Sequence, residues 1–189
     1  MRIDIMTDLE TLGVQKDSTI FQISAAAFDI KTGIVIDTLN LNIDISKQPI
    51  KADGSTIKWW LDTNKELFEE LINCEGMSHT DALLQLQYWI RKHKSQGEVY
   101  LWGNGILFDN NMIKTQMELL GMEYPIKFRN DRDMRTILEL AAIKEGISEH
   151  DLRDICKRDE LEKHNALHDV LFQIDVVSCC YNILVGENK

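Results

Sequence analysis

The chain is short of the features that would assign it to several common classes. Its four cysteines are Cys74, Cys156 and the adjacent Cys179-Cys180. None forms a C-x-x-C pair, so the spacing suggests neither a zinc ribbon nor a disulfide framework, and a reducing, cytoplasmic setting is expected. No apolar run approaches the roughly 18 residues of a membrane span. Met1-Arg2-Ile3-Asp4 places an acid where a signal peptide would need its apolar core, so no export signal is expected. Lys and Arg are outnumbered by Asp and Glu, and the net charge of −10 argues against broad, non-specific duplex binding, which depends on neutralising phosphates. It does not exclude a nuclease, because clustered carboxylates are neutralised by bound metal and local basic patches still hold substrate. Lys127, Arg129, Arg132 and Arg135 form one such patch and Arg91-Lys92-His93-Lys94 another; both also read as solvated charges at element ends.

What is present reads as one α/β domain over residues 1–189. With 44% hydrophobic and 28% charged residues the composition is that of an ordinary globular protein. No internal repeat, low-complexity tract or linker interrupts it. Apolar segments at Ile3–Met6, Ile20–Ile30 and Ile34–Ile45, the last alternating through Leu39, Leu41, Ile43 and Ile45, predict a three-stranded antiparallel meander. Lys47–Ser55, with Pro49 and Gly54, reads as a loop. A short helix is expected at Lys65–Ile72. A longer one spans Ser78–Lys94, with Ser78 and Asp81 in a capping arrangement and Ala82, Leu83, Leu86, Trp89 and Ile90 as its apolar stripe. Strands are expected at Val99–Trp102 and Pro125–Phe128. Helices are expected at Asp109–Leu120, closed by Gly121, and at Met134–Glu145 and Ala166–Leu184.

Three separated places carry acids where strands end or helices begin. Asp8 and Glu10 follow the first apolar segment, and residues two apart in a strand point to the same face. Asp109 stands where Trp102-Gly103-Asn104-Gly105 hands over to a helix; a lone Asp there is also an ordinary N-cap. His164-Asn165-Ala166-Leu167-His168-Asp169 opens the last helix. Hard divalent cations want oxygen ligands, and two ions about 3.5–4 Å apart clamp the attacking and leaving oxygens of an in-line phosphoryl displacement. Four acids from three distant segments suit such a site. His164 and His168, four apart, would also suit a zinc pair, but Asn165 stands where a metalloprotease helix carries Glu.

In order and context these motifs resemble the DEDD 3′→5′ exonucleases, in the histidine-bearing DEDDh subgroup, over nearly the whole chain. Trp59-Trp60, Trp102-Gly103-Asn104-Gly105-Ile106-Leu107-Phe108-Asp109 and Asp133-Met134-Arg135-Thr136 are similar to a compact branch that includes phage exonuclease A and ribonuclease AS-like exoribonucleases. Val170 departs from the small Ala that commonly follows the last Asp. The resemblance implies a ribonuclease H-like fold with a central mixed sheet of about five strands and helices on both faces. It implies Asp8, Glu10, Asp109 and Asp169 as ligands of two Mg²⁺ or Mn²⁺ ions. It makes His164 the general base, a role suited to an imidazole of ordinary pKa about 6.5. The substrate would be the 3′ end of single-stranded RNA or DNA, released as nucleoside 5′-monophosphates, and a homodimer and a phage or prophage origin go with that branch.

On one continuous helix His164 and Asp169 would lie about 140° apart, so the reading requires His164 in the loop before the helix. Leu9, Thr11 and Leu12 are candidates to cradle the terminal nucleotide, Phe108 and Trp59 to stack bases, and Arg135 to hold phosphate; for each, plain packing or a solvated charge is the competing role. The alternatives to a nuclease of this type are a phosphodiesterase for dinucleotides and an inactive module that binds nucleic-acid ends.

Overall fold

The structure, a computed structural model, describes residues 1–157 and 164–186; the expected domain span 1–189 includes residues outside these. Five strands, β1 (Arg2–Thr11), β2 (Ile20–Phe28), β3 (Val35–Asn42), β4 (Glu98–Gly103) and β5 (Asp131–Asp133), form one sheet in the order β3-β2-β1-β4-β5. The meander β1-β2-β3 is antiparallel, while β4 and β5 add in parallel, which makes the sheet mixed. The helices among the described residues are α1 (Gly54–Thr63), α2 (Lys65–Ile72), α3 (His79–Lys94), α4 (Asp109–Leu119), α5 (Met134–Glu145), α6 (Glu149–Cys156) and α7 (Ala166–Val185).

β1 sits at the centre and is covered on both sides, so its alternation sorts residues between two cores. Ile3, Ile5 and Leu9 face Leu83, Leu86 and Ile90 of α3 and Met112 and Ile113 of α4. Met6 faces the other way, into a core with Leu138 of α5 and Val170, Ile174 and Val177 of α7. A third cluster joins Leu12, Phe21, Trp60, Leu67, Phe68 and Leu71 at the end of β1. Caps agree with the local signals: Ser78 accepts the Asp81 N–H at 3.2 Å, and Gly121 follows α4 in the left-handed region, φ +70°.

Several expectations are corrected. β1 runs on to Thr11, so Asp8 and Glu10 lie within the strand rather than after it. β3 is shorter than Ile34–Ile45, ending at Asn42: Ile43, still bonded through its N–H to the Phe21 carbonyl at 2.9 Å, makes an isolated bridge to Met77, and a 3₁₀ turn follows at Ile45–Lys47. Pro125–Phe128 forms no strand; the edge strand is Asp131–Asp133, after a 3₁₀ turn at Phe128–Asn130. Those three polar residues are held by pairing with β4 and by bonds to Asp131 from Asn110 Nδ2 at 2.8 Å and the Tyr124 hydroxyl at 2.9 Å. Trp59-Trp60 belongs to a helix, α1, and α6 was not foreseen. A disulfide joins Cys156, at the end of α6, to Cys179 of α7, with Cα atoms 5.6 Å apart; partners 23 residues apart left no mark in the spacing. α7 is long and apolar enough, by length and composition, to cross a membrane, and here it packs on the sheet against β1 and β2.

Candidate active site

The face of β1 that carries Met6 continues through Asp8 and Glu10, two and four residues on. α7 packs over that face, so its N-terminal turn arrives above the two acids. The start of the helix is tied down by Gln22 of β2, which pairs with Glu10 across the ladder and whose Oε1 accepts the Ala166 N–H at 2.9 Å. Asn165 caps the helix, accepting from Leu167 at 3.2 Å and His168 at 3.4 Å. Asp169 lies in the first turn, and carboxylate oxygens of Asp8, Glu10 and Asp169 all lie within 4.8 Å of one another.

Asp109 comes from the C-terminal end of the neighbouring parallel strand. β4 ends at Gly103, and a Cβ there would stand 2.6 Å from Asn110 Oδ1 and 3.1 Å from Asp109 Cβ and Oδ2. The missing side chain is what lets Asp109 turn in beside β1. The turn that follows uses Gly105 at φ +125° and is pinned by the Ile106 N–H donating to Asp133 at 3.0 Å.

Burial and mutual repulsion push these carboxyls away from their ordinary behaviour. Burial raises Glu10 to about 10, with Asp8, Asp169 and Asp109 adding to it. Asp8 is raised well above the usual range, first by burial and then by Asp109 and Asp169, against the lowering effect of Gln173. Asp109 is pushed up to about 7 by burial, offset by backbone N–H groups, including those of Asn104 and Leu9, and by Arg135. An all-oxygen donor set, partly withdrawn from water and strained by like charge, fits a hard divalent cation, which relieves both penalties.

His164 stands in the turn before α7, in the left-handed region at φ 66°. Its N–H donates to Asp169 Oδ2 at 3.1 Å. Its ring meets the Trp59 ring edge-on, with centroids 4.8 Å apart at 84°. Trp60, behind Trp59, donates its indole N–H to the Thr11 carbonyl at 3.1 Å. The Trp59-Trp60 pair thus links the histidine to the end of β1. Because His164 precedes the helix, the four-residue spacing to His168 does not make a helical zinc pair.

The candidate substrate contacts fare unevenly. Leu9 and Leu12 are buried in the cores, and the Thr11 hydroxyl is spent on the Gly13 carbonyl at 2.8 Å. Phe108 is partly buried against the first core. The Leu9 and Leu12 side chains therefore pack in the cores, while Phe108 keeps part of its ring at the surface. Trp59 remains 44% exposed beside His164. Arg135 lies by Gly105, with its Nε 3.5 Å from Asn104 Oδ1.

A cleft of about 450 Å³ opens over the acids. It is lined by Asp8, His164 and Asp169, by Arg153 and Lys157 from the α6 segment, and by Phe172 of α7. A smaller cavity, about 300 Å³ between Lys94, Glu98 and Lys127, lies at the opposite end of β4. Sequence reasoning missed the α6 wall, although Ser148 three residues before Asp151 repeats the cap pattern of Ser78 and Asp81 and accepts the Asp151 N–H at 3.1 Å. It also missed Gln173. That residue is four after Asp169 on the same helical face, is buried, and donates from Nε2 to Asp8 Oδ1 at 2.7 Å.

Residues 3–181 match the Rv2179c-like 3′–5′ exoribonuclease domain. The chain belongs to that family. It is a 3′–5′ exonuclease domain of ribonuclease H-like fold. Solved structures agree on the fold at low sequence identity. Cell-death related nuclease 4 superposes with a TM-score of 0.69 at 13% identity, over 97% of this chain and 64% of that one, so this domain spans just under two thirds of that protein. The nuclease domain of 3′hExo, a DEDDh family member bound to rAMP, gives 0.64 at 12% over 97% and 92%. Pop2p of S. pombe, in its Mg²⁺- and Mn²⁺-bound form, gives 0.58 at 15% over 93% and 81%. No curated protein matches the chain.

Proposed function

We propose that this domain removes nucleotides one at a time from the 3′ end of single-stranded RNA and releases nucleoside 5′-monophosphates. The observation that carries the reading is the convergence of Asp8, Glu10 and Asp169 within 4.8 Å, with His164 bonded through its backbone to Asp169. In this reading Asp8, Glu10, Asp109 and Asp169 hold two divalent ions, Mg²⁺ or Mn²⁺; when bound, such ions neutralise the charge that develops on the reacting phosphate.

The chain's own groups do the rest. His164, which lines the cleft, takes the proton of the attacking water on a ring nitrogen. Its left-handed turn, the Asp169 bond and the Trp59 edge fix where that nitrogen stands, which spares the reaction an ordering cost. The family's exoribonuclease description and the rAMP held by the 3′hExo domain favour RNA over DNA. The likeness of Trp59-Trp60 and of Trp102–Asp109 to the phage exonuclease A and ribonuclease AS-like branch supports a place there, and with it a homodimer.

A time course with 5′-labelled single-stranded RNA and DNA of one sequence tests the proposal, run with Mg²⁺, Mn²⁺ or EDTA beside Asp8→Ala. A ladder that shortens from the 3′ end, needs metal, is absent in Asp8→Ala and is faster on RNA is expected. Shortening confined to dinucleotides would replace the reading with a small-substrate phosphodiesterase, and no shortening at all would leave a binding module.

A further inference from the structure

A polyanion must come to rest beside four carboxylates in a chain of net charge −10, so attraction has to be supplied locally. α6 supplies it. Arg153, in α6, and Lys157, the residue that follows the helix, line the cleft that holds Asp8, His164 and Asp169. Among the described residues the Arg153 guanidinium has no ion pair. Asp154, on the same wall, faces His150 at 3.5 Å, and both are largely exposed. The Cys156–Cys179 disulfide ties the end of α6 to α7, which holds the cations at a set distance from the acids. Phe172, three residues after Asp169 on α7, is partly buried against the second core and lines the same cleft. Cations tracking a backbone beside an aromatic face are the elements of single-strand recognition.

Building on the exonuclease reading, we propose that this wall is a strand-binding site: Arg153 and Lys157 hold phosphodiester oxygens next to the end being cut, and Phe172 stacks a base. The site reads charge and ring stacking, and therefore accepts any base sequence.

Binding of a 5′-fluorescein ten-nucleotide single-stranded RNA, followed by anisotropy in EDTA over a range of salt, tests it. Arg153→Ala is expected to weaken binding severalfold and to flatten the slope of log affinity against log salt by about 0.7, the value of one phosphate contact on a single strand. Arg153→Lys should restore the slope. Phe172→Leu is expected to weaken binding about 5- to 100-fold while leaving the slope, and the circular dichroism of the folded protein, as in the wild type. Wild-type affinity and slope in both Arg153→Ala and Phe172→Leu would overturn the proposal, provided the wild type shortens the same RNA with Mn²⁺. If the wild type shortens no oligonucleotide, the exonuclease reading itself falls.

Discussion

Glu10→Gln will stabilise the metal-free fold at neutral pH and weaken its response to metal, opposite effects that a merely structural glutamate would not combine. The Glu10 carboxyl is buried among three other acids and raised to about 10 from an ordinary value near 4.5. In the unfolded chain it ionises above pH 4.5; in the fold it does not until far higher. Its contribution to stability is therefore fully present below pH 4.5, falls as pH rises from there, and goes on falling up to about pH 10. By pH 7 the gap is about 2.5 pH units, or about 3 kcal/mol. Gln has the shape of the protonated acid and carries no such penalty. For a chain of this length each kcal/mol moves Tm by about 2–4 °C, so calorimetry in EDTA at pH 7 should show a gain of about 6–12 °C for Glu10→Gln, shrinking to nothing near pH 4. With Mn²⁺ at a hundred times its Kd the wild type should gain about 2.7 kcal/mol, and the variant clearly less. A variant less stable than wild type in EDTA at pH 7, or a gain of equal size at pH 4 and pH 7, would refute the idea of a strained acid cluster awaiting a cation.

Other substitutions separate positioning from chemistry. Gln173→Met keeps the bulk of the helix contact but removes the 2.7 Å bond to Asp8, and isothermal titration should find Mn²⁺ bound about 10- to 100-fold more weakly. His164→Asn should keep Tm, since Asn tolerates the left-handed turn at φ 66°, and lower the exonuclease rate about 100-fold or more; an active variant would remove His164 from the reaction. Gly103→Ala places a methyl 3.1 Å from the Asp109 carboxylate and 2.6 Å from Asn110 Oδ1. Its exonuclease rate should fall further than its denaturation midpoint predicts, because Asp109 has to move.

How much of this was legible in advance depended on whether the cause was local. β1 announces itself by the short apolar run Ile3–Met6, and the two-residue period of a strand puts Asp8 and Glu10 on one face. Ser78 and Asp81 mark the start of α3 because a cap is a contact between near neighbours. The placement of His164 before α7 followed from the exonuclease resemblance taken with helix geometry: if the two share one site, five residues on one helix would have turned His164 away from Asp169. β5 had no such signal. Asp131-Arg132-Asp133 is a strand because β4 offers it a parallel edge and Asn110 and Tyr124 reach Asp131. α1 hid its helix behind Gly54 and two tryptophans whose partners, Thr11 and His164, are distant in the chain.

The sequence by itself determined the chemistry available to this protein: four acids and a histidine in an order that suits phosphodiester hydrolysis. Tertiary structure alone decided which groups share the cleft. It buried the side chains of Leu9 and Leu12 in two cores, and it brought Gln173, Arg153 and Phe172 to the cleft over the acids. It also paired Cys156 with Cys179. Residue type and spacing record what a side chain can do, whereas its neighbours are set by how two cores close on a sheet, a property of the whole chain at once.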